Sequence, residues 1–277
     1  MTGVLNGLTR IVSGFFDLLV APLAGHPAWA MLVVSVFSAV WALLLFKAVT
    51  PQKKLADGRD RLFGHIFEMG LYQDHLSVLG SIQRDLAKAN LRYMMMTLPA
   101  LLALTLPMVL TLAQLDSRFS RRPLHPGETA VFSVRLNSDA NGRLKDFRLV
   151  VPDGVIIEAG PVRDQRDGAI AWRLRGDKDG EYLLQIMLDG RAVADRILPV
   201  GEGLPRVNEH NRVGPFAEVM APGARSLKSD DPIGGMTLHL PERSTSYLGL
   251  EMNWLVAFML FSLLGGLVLK DVLKVSL

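Results

Sequence analysis

Residues 28–46, AWAMLVVSVFSAVWALLLF, run for 19 residues without a charge. As a helix rising 1.5 Å per residue they reach about 28 Å, close to the hydrocarbon thickness of a bilayer. Trp29 stands at one end and Trp41 and Lys47 towards the other, where amphipathic side chains settle at the interface. Residues 94–113, MMMTLPALLALTLPMVLTLA, are equally uncharged over 20 residues, between Arg92 and Tyr93 on one side and Asp116 on the other. Pro99 and Pro107 lie inside this run, which membrane helices tolerate. Residues 254–269, WLVAFMLFSLLGGLVL, form a shorter run that Met252 and the stem of Lys270 extend. These stretches predict three membrane spans.

They also explain the composition. The chain of 277 residues is 49% hydrophobic and 21% charged, with a mean hydropathy of +0.27. Such a balance excludes an ordinary soluble enzyme and a disordered chain. An all-membrane bundle is excluded as well, because residues 116–251 carry 19 basic and 20 acidic groups. Without cysteine there is no disulfide framework, zinc-thiolate site or thiol nucleophile.

Loop charge sets the expected orientation. Residues 47–92 hold 8 Lys and Arg against 5 acids, and the tail adds Lys270 and Lys274 against Asp271. Basic short loops stay in the cytoplasm, whereas a long domain has little say in topology. The expected place is therefore the inner (cytoplasmic) membrane, with the N-terminus outside, the C-terminus cytoplasmic and a periplasmic or extracellular domain between the last two spans. The net charge of +3 is then a topology signal and implies no nucleic-acid partner.

The remaining parts read in order. In residues 1–27, Val4, Leu8, Ile11, Phe15 and Leu18 recur at helical spacing, with Asn6, Arg10, Ser13 and Asp17 on the opposite side. This predicts an interfacial amphipathic helix, broken by Pro22, Gly25 and Pro27. A first span covers 28–47. Residues 48–92 predict a cytoplasmic helical hairpin of coiled-coil type, with Leu55, Leu62, Ile66 and Met69 facing Leu76, Leu79, Ile82, Leu86 and Ala89. Asp74 is expected to cap its second helix. His65 and His75 are expected at the surface or in packing, neither with an acid at metal-ligand spacing. The second span is 93–115, the third 251–270, and 271–277 is a cytoplasmic tail.

Residues 116–250 predict an all-β domain. Turn signals such as Asn141-Gly142, Asp167-Gly168 and Asp189-Gly190 separate β-type runs at 129–136, 144–151, 154–158, 169–175, 181–188 and 191–200. Short strands at this spacing fit an immunoglobulin-like sandwich. Trp172 is expected in its core, 202–242 as an irregular return with further strands near 236–240. No hydrolase elbow, zinc-protease motif or phosphate loop occurs, so no catalytic residue, metal or cofactor is expected and the chain does not read as an enzyme.

The order of parts resembles the YidC/Oxa/Alb superfamily of membrane-protein insertases, above all its three-span branch of archaeal YidC-like proteins and subunit three of the ER membrane complex. The resemblance is carried by SVFSAVWALLLFKAVTPQKK (35–54), LAKANLRYMMMTLPALLALTLP (86–107) and MNWLVAFMLFSLLGGLVLKDVLKV (252–275), within about half of the chain. It implies a chaperone-like protein-insertion function. A groove open to lipid would lower the cost of moving polar client segments through hydrocarbon, with the bilayer and hydrophobic client membrane proteins as partners. By that resemblance Lys47, four residues before Pro51, matches a groove cation approximately, and the snorkelling end-anchor is the favoured reading. Arg92 carries the same two readings. Met94, Met95 and Met96 suit adaptable client contact or ordinary lipid-facing packing. The inserted β-domain departs from these relatives and points to a protein partner bound on the outer side through 120–245. Two rival functions stay open: a non-catalytic envelope-complex subunit anchored by three spans, and an ion channel.

Overall fold

The computed structural model describes residues 2–72, 76–212, 222, 227, 231–247 and 249–275. Among the described residues five α-helices are seen: α1 (Thr2–Val20), α2 (Pro27–Val49), α3 (Gln52–Leu71), α4 (Leu76–Phe119) and α5 (Trp254–Val272). A short 3-10 turn, Ala21–Leu23, follows α1, and Pro27 opens α2, where its missing N–H is no loss. Pro51 closes α2, because a proline disfavours helical geometry in the residue before it. Among the described residues, Pro27–Val49, Leu79–Phe119 and Trp254–Val272 are long and apolar enough to cross a membrane.

α4 differs from expectation. It runs without interruption for 44 residues, about 66 Å at 1.5 Å per residue. The boundary between hairpin and second span drawn at 92/93 falls inside this helix, which continues through it. Composition changes sharply there, but Asn90, Leu91, Arg92 and Tyr93 hold no helix breaker. Inside the apolar stretch, the Thr97 hydroxyl donates to the Met94 carbonyl and Thr105 to Leu101, each at 2.9 Å, around the two prolines.

The chain divides into two compact units, residues 1–31 with 110–257 and residues 32–109 with 258–277. In the second unit α2 buries Val34, Ser35, Ser38, Ala39 and Leu43. Gly265 of α5 lies on that face: a Cβ there would stand 3.6 Å from the Ala39 Cβ, whereas Gly266 faces open space. On α3, Leu55 is buried, and Gly58 lets the chain approach Met96 and Tyr93, whose atoms would lie 3.1 and 3.3 Å from an added Cβ. Of the rest of the stripe expected in the hairpin core, Leu62 and Met69 are part-buried and Ile66 is exposed. Phe63, Ile66, Phe67 and Leu71 are at least half exposed, because Gly58 and the polar residues flanking it take the face towards α4.

The first unit holds the β-domain. Its strands are β1 (Thr129–Leu136), β2 (Phe147–Val150), β3 (Val155–Asp164), β4 (Ala169–Gly176), β5 (Gly180–Leu188), β6 (Arg191–Val200), β7 (His210–Arg212), β8 (Ile233–His239), β9 (Thr245–Tyr247) and β10 (Leu250–Met252). They form antiparallel sheets ordered β3-β4-β1-β8-β7 and β2-β5-β6, with β9 and β10 as a separate pair. Alternating burial along β1 and β4 sends Phe132, Val134, Ile170, Trp172 and Leu174 inwards. They share one core with Phe147, Leu184, Ile186, Ala194 and Leu198 of the smaller sheet. Phe132 and Trp172 are cross-strand partners whose rings stack 6.1 Å apart.

β3 is longer than the expected 154–158. It passes through Gly160-Pro161 because it is an edge strand, where a missing N–H breaks no ladder, and register shifts on either side of Ala159 absorb the irregularity. Gly160 has φ +113°, and a Cβ there would sit 2.9 Å from the Ala171 carbonyl oxygen, so only glycine fits.

This packing gives a contrast to measure. Trp172→Ala is expected to destabilise the β-domain by about 3–5 kcal/mol. Val131→Ala, on the exposed face of β1, is expected to change it little. Denaturant titration of the full chain followed by circular dichroism checks both.

Candidate functional site

Two polar clusters stand out, one in each unit. The first begins with a helix turned the opposite way from expectation. Thr9, Ser13, Phe16 and Val20 of α1 are buried, whereas Ile11, Phe15 and Leu18 are exposed, Leu18 to 76%. Of the polar stripe that would face water in an interfacial helix, Ser13 is buried and Asp17 part-buried, whereas Arg10 stays exposed.

The reason is Arg118, on the last turn of α4 and only 1% exposed. Its guanidinium donates to the Asp17 carboxylate at 2.6 Å, to the Gln114 side-chain oxygen at 2.6 Å and to the Gln114 carbonyl at 3.0 Å. Gln114 in turn donates to the Ser13 hydroxyl at 2.8 Å. The cation also lies 5.9 Å from the centre of the Phe16 ring. Arg206, in the loop after β6, donates to the same carboxylate, its Nε at 3.1 Å to the Oδ1 that Arg118 also holds and its Nη2 to Oδ2. One carboxylate thus serves two guanidiniums. Burial alone would raise the Asp17 carboxyl, but hydrogen bonds from Arg206 and Arg118 outweigh it and hold it below the usual carboxylate value. A cleft of about 580 Å³ adjoins this cluster, with Asp179, Glu181 and Glu202 on its wall. Beyond α4, Arg122 grips Glu128 through two bonds of 2.7 and 2.8 Å, which hold that carboxyl down to about 2.

The second cluster is a groove of about 430 Å³ between α3 and α4. Lys54, Asp57, Arg61 and His65 fall on one face of α3, spaced by three, four and four residues; Asp85, Lys88, Arg92 and Met96 do the same on α4. Asp85 pairs with Lys88 at 3.4 Å. Lys54, Arg61 and Arg92 make no ion pair with the described residues. His65 has an acidic neighbour that the expectation missed: Glu68, one turn along, stands 3.1 Å away. His75 lies outside the described residues. Among those residues no group of three His, Asp or Glu could hold a metal ion.

The expected site residues are only partly brought together. Arg92 and Met96 line this groove. Met94 and Met95 are exposed, at 58% and 59%, outside it. Lys47 is elsewhere: its ammonium donates at 2.7 Å to the carbonyl of Leu273, just past the end of α5, and so satisfies an orphan acceptor there. Lys54, Arg61 and Lys88 were not expected as site residues. Their four- and seven-residue spacing was the available signal, hidden because the apolar stripe on the same helices drew the pairing.

In comparison with known proteins, no family model, no curated protein and no solved structure matches this chain.

Arg118→Met leaves a buried acceptor set without its cation and is expected to cost about 3 kcal/mol, seen as a lower melting temperature of the purified protein. The carboxylates predict an acid limb of set sign. Both Asp17 and Glu128 titrate lower when folded, so their stabilisation is complete above their unfolded values and lost as pH falls through the folded ones. For Glu128 that window runs from 4.5 down to about 2. Thermal melts across this range should show a shallower acid slope in Glu128→Gln and in Asp17→Asn.

Proposed function

We propose that the chain is an insertase-like assembly factor for membrane proteins, resembling the three-span branch of the YidC/Oxa/Alb superfamily. α3 and the charged part of α4 form its cytoplasmic hairpin, the β-domain is of immunoglobulin-like type, and the N-terminus lies outside. The observation that carries this reading is an apolar surface left unpartnered beside a basic groove. Leu98, Leu101, Leu102 and Leu106 of α4 and Met259, Leu263, Leu264 and Val268 of α5 are exposed, as a face open to lipid requires. Where the α4 run begins, Arg92 and Met96 border the groove, and Met94 and Met95 add flexible, polarizable contacts.

The physical role follows. A client's acidic flank is drawn to the cations before its apolar segment leaves water, which raises local concentration and the rate of encounter. Its polar end then crosses beside the helices, where hydration lowers the transfer cost. Lys47 takes the end-anchor part, because its charge is spent on the end of α5.

A second reading, an envelope-complex subunit whose β-domain binds a partner, is favoured by one patch. Leu183 and Ile197 are cross-strand partners, 45% and 49% exposed on the outer face of the smaller sheet, with Val150 exposed on the next strand. Exposed apolar pairs of this kind mark interaction surfaces.

Two measurements check the main reading. Proteoliposomes should insert a single-span client with an acidic flank, and Arg61→Glu/Arg92→Glu should slow it at least about fivefold, the effect of 1 kcal/mol. Insertion unchanged by that reversal contradicts a role for the groove. For orientation, the chain has no native cysteine, so Lys178→Cys should label from outside intact cells and Arg59→Cys only after permeabilisation.

A further inference from the structure

We infer that the groove between α3 and α4 is a binding site for a phosphoryl group, supplied by the headgroup of an anionic phospholipid. Lys54, Arg61, Lys88 and Arg92 converge on it, against the carboxylates of Asp57 and Asp85. Asp85 is already engaged by Lys88, and the guanidiniums of Arg61 and Arg92 and the Lys54 ammonium make no ion pair with a described residue, which leaves Asp57 as the one other carboxylate on the groove wall against three cations. Converging cations repel one another, and an anion between them relieves that repulsion. Two guanidiniums offer planar forks that match the oxygens of a phosphate better than lysine ammoniums do.

Depth selects the lipid. Arg92 is two residues before the uncharged run of α4, and Met96 on the same groove wall is already inside that run. Cations placed at the end of a hydrophobic span sit at the level of lipid phosphates, where each adds attraction towards anionic lipid. The volume of about 430 Å³ admits a headgroup rather than a lone ion. The face of α3 away from the groove carries the exposed Phe63, Ile66, Phe67 and Leu71, so the helix is amphipathic in the sense of an interfacial segment. The site rests on the membrane placement of α4 and not on insertase activity. Loss of client insertion with lipid selectivity intact would refute the one and leave the other standing.

The test uses the full chain in nanodiscs of mixed phosphatidylcholine and phosphatidylglycerol, with retained lipid counted by native mass spectrometry. Wild-type protein should retain phosphatidylglycerol severalfold above its share of the bilayer. Arg61→Gln/Arg92→Gln should bring this back to the bulk ratio at an unchanged melting temperature, and Arg61→Lys/Arg92→Lys should restore part of it. Lys53→Gln/Arg59→Gln removes the same charge from the same helix outside the groove and should leave enrichment intact. Excess inorganic phosphate separates the sources: failure to displace the lipid assigns the site to a headgroup, and displacement assigns it to phosphate in either form. Equal loss in both variant pairs, or no enrichment in wild type, overturns the site. So does an acidic client peptide that binds through Arg61 and Arg92 while lipid retention ignores both substitutions.

Discussion

A guanidinium that is 1% exposed at the end of an apolar helix is the constraint around which the first unit is arranged. Arg118 cannot shed its charge, and an uncompensated buried cation costs several kcal/mol. Its hydrogen-bond partners are Asp17 and Ser13 of α1, Gln114 one turn back on α4 and the adjacent Ser117, and the Phe16 ring lies beside it. This is why α1 turns Ser13 and Asp17 towards Arg118 and leaves Ile11 and Leu18 outside. For a helix lying in a membrane interface, that orientation loses nothing, because the exposed side meets acyl chains instead of water. Arg206 then ties the same carboxylate to the loop after β6, so the β-domain shares the constraint.

α4 divides its charge sharply. From Tyr93 to Leu115 it carries no ionisable acid or base other than Tyr93 itself, while Arg92 lies just before and Asp116 and Arg118 just after. At the Arg118 end the charge is buried and matched within the protein. At the Arg92 end it faces a groove with more cations than carboxylates. The matched end is built for rigidity and the unmatched end for a visitor. The proposed binding of an anion in the groove rests on this excess of cations and not on any likeness to a family.

Much of the fold was legible because its signals are one-dimensional. Uninterrupted apolar length announces a span, and alternation announces a half-buried strand, so β1, β4 and β6 fall where Phe132, Trp172 and Leu198 recur. Other features depend on what a segment meets. The direction of α1 could not be read from its stripe, because amphipathicity says that two faces differ and not which one meets protein; Arg118 decided that. The unbroken α4 was hidden by a change of composition that leaves the backbone untouched. β3 runs through Gly160-Pro161 only because the sheet ends there. Of the site, Arg92 and Met96 were legible from position. Lys54, Arg61 and Lys88 needed the pairing of α3 with α4, and Lys47 needed the end of α5 beside it before its role could be told from a groove cation.

The most direct test of the account is site-specific photo-crosslinking in growing cells, from probes at positions 92, 94 and 95, with position 47 as the control. Many different nascent membrane proteins captured from 92, 94 and 95, and few from 47, is the predicted result. A single stable neighbour captured from all positions, or equal capture from 47, would contradict it.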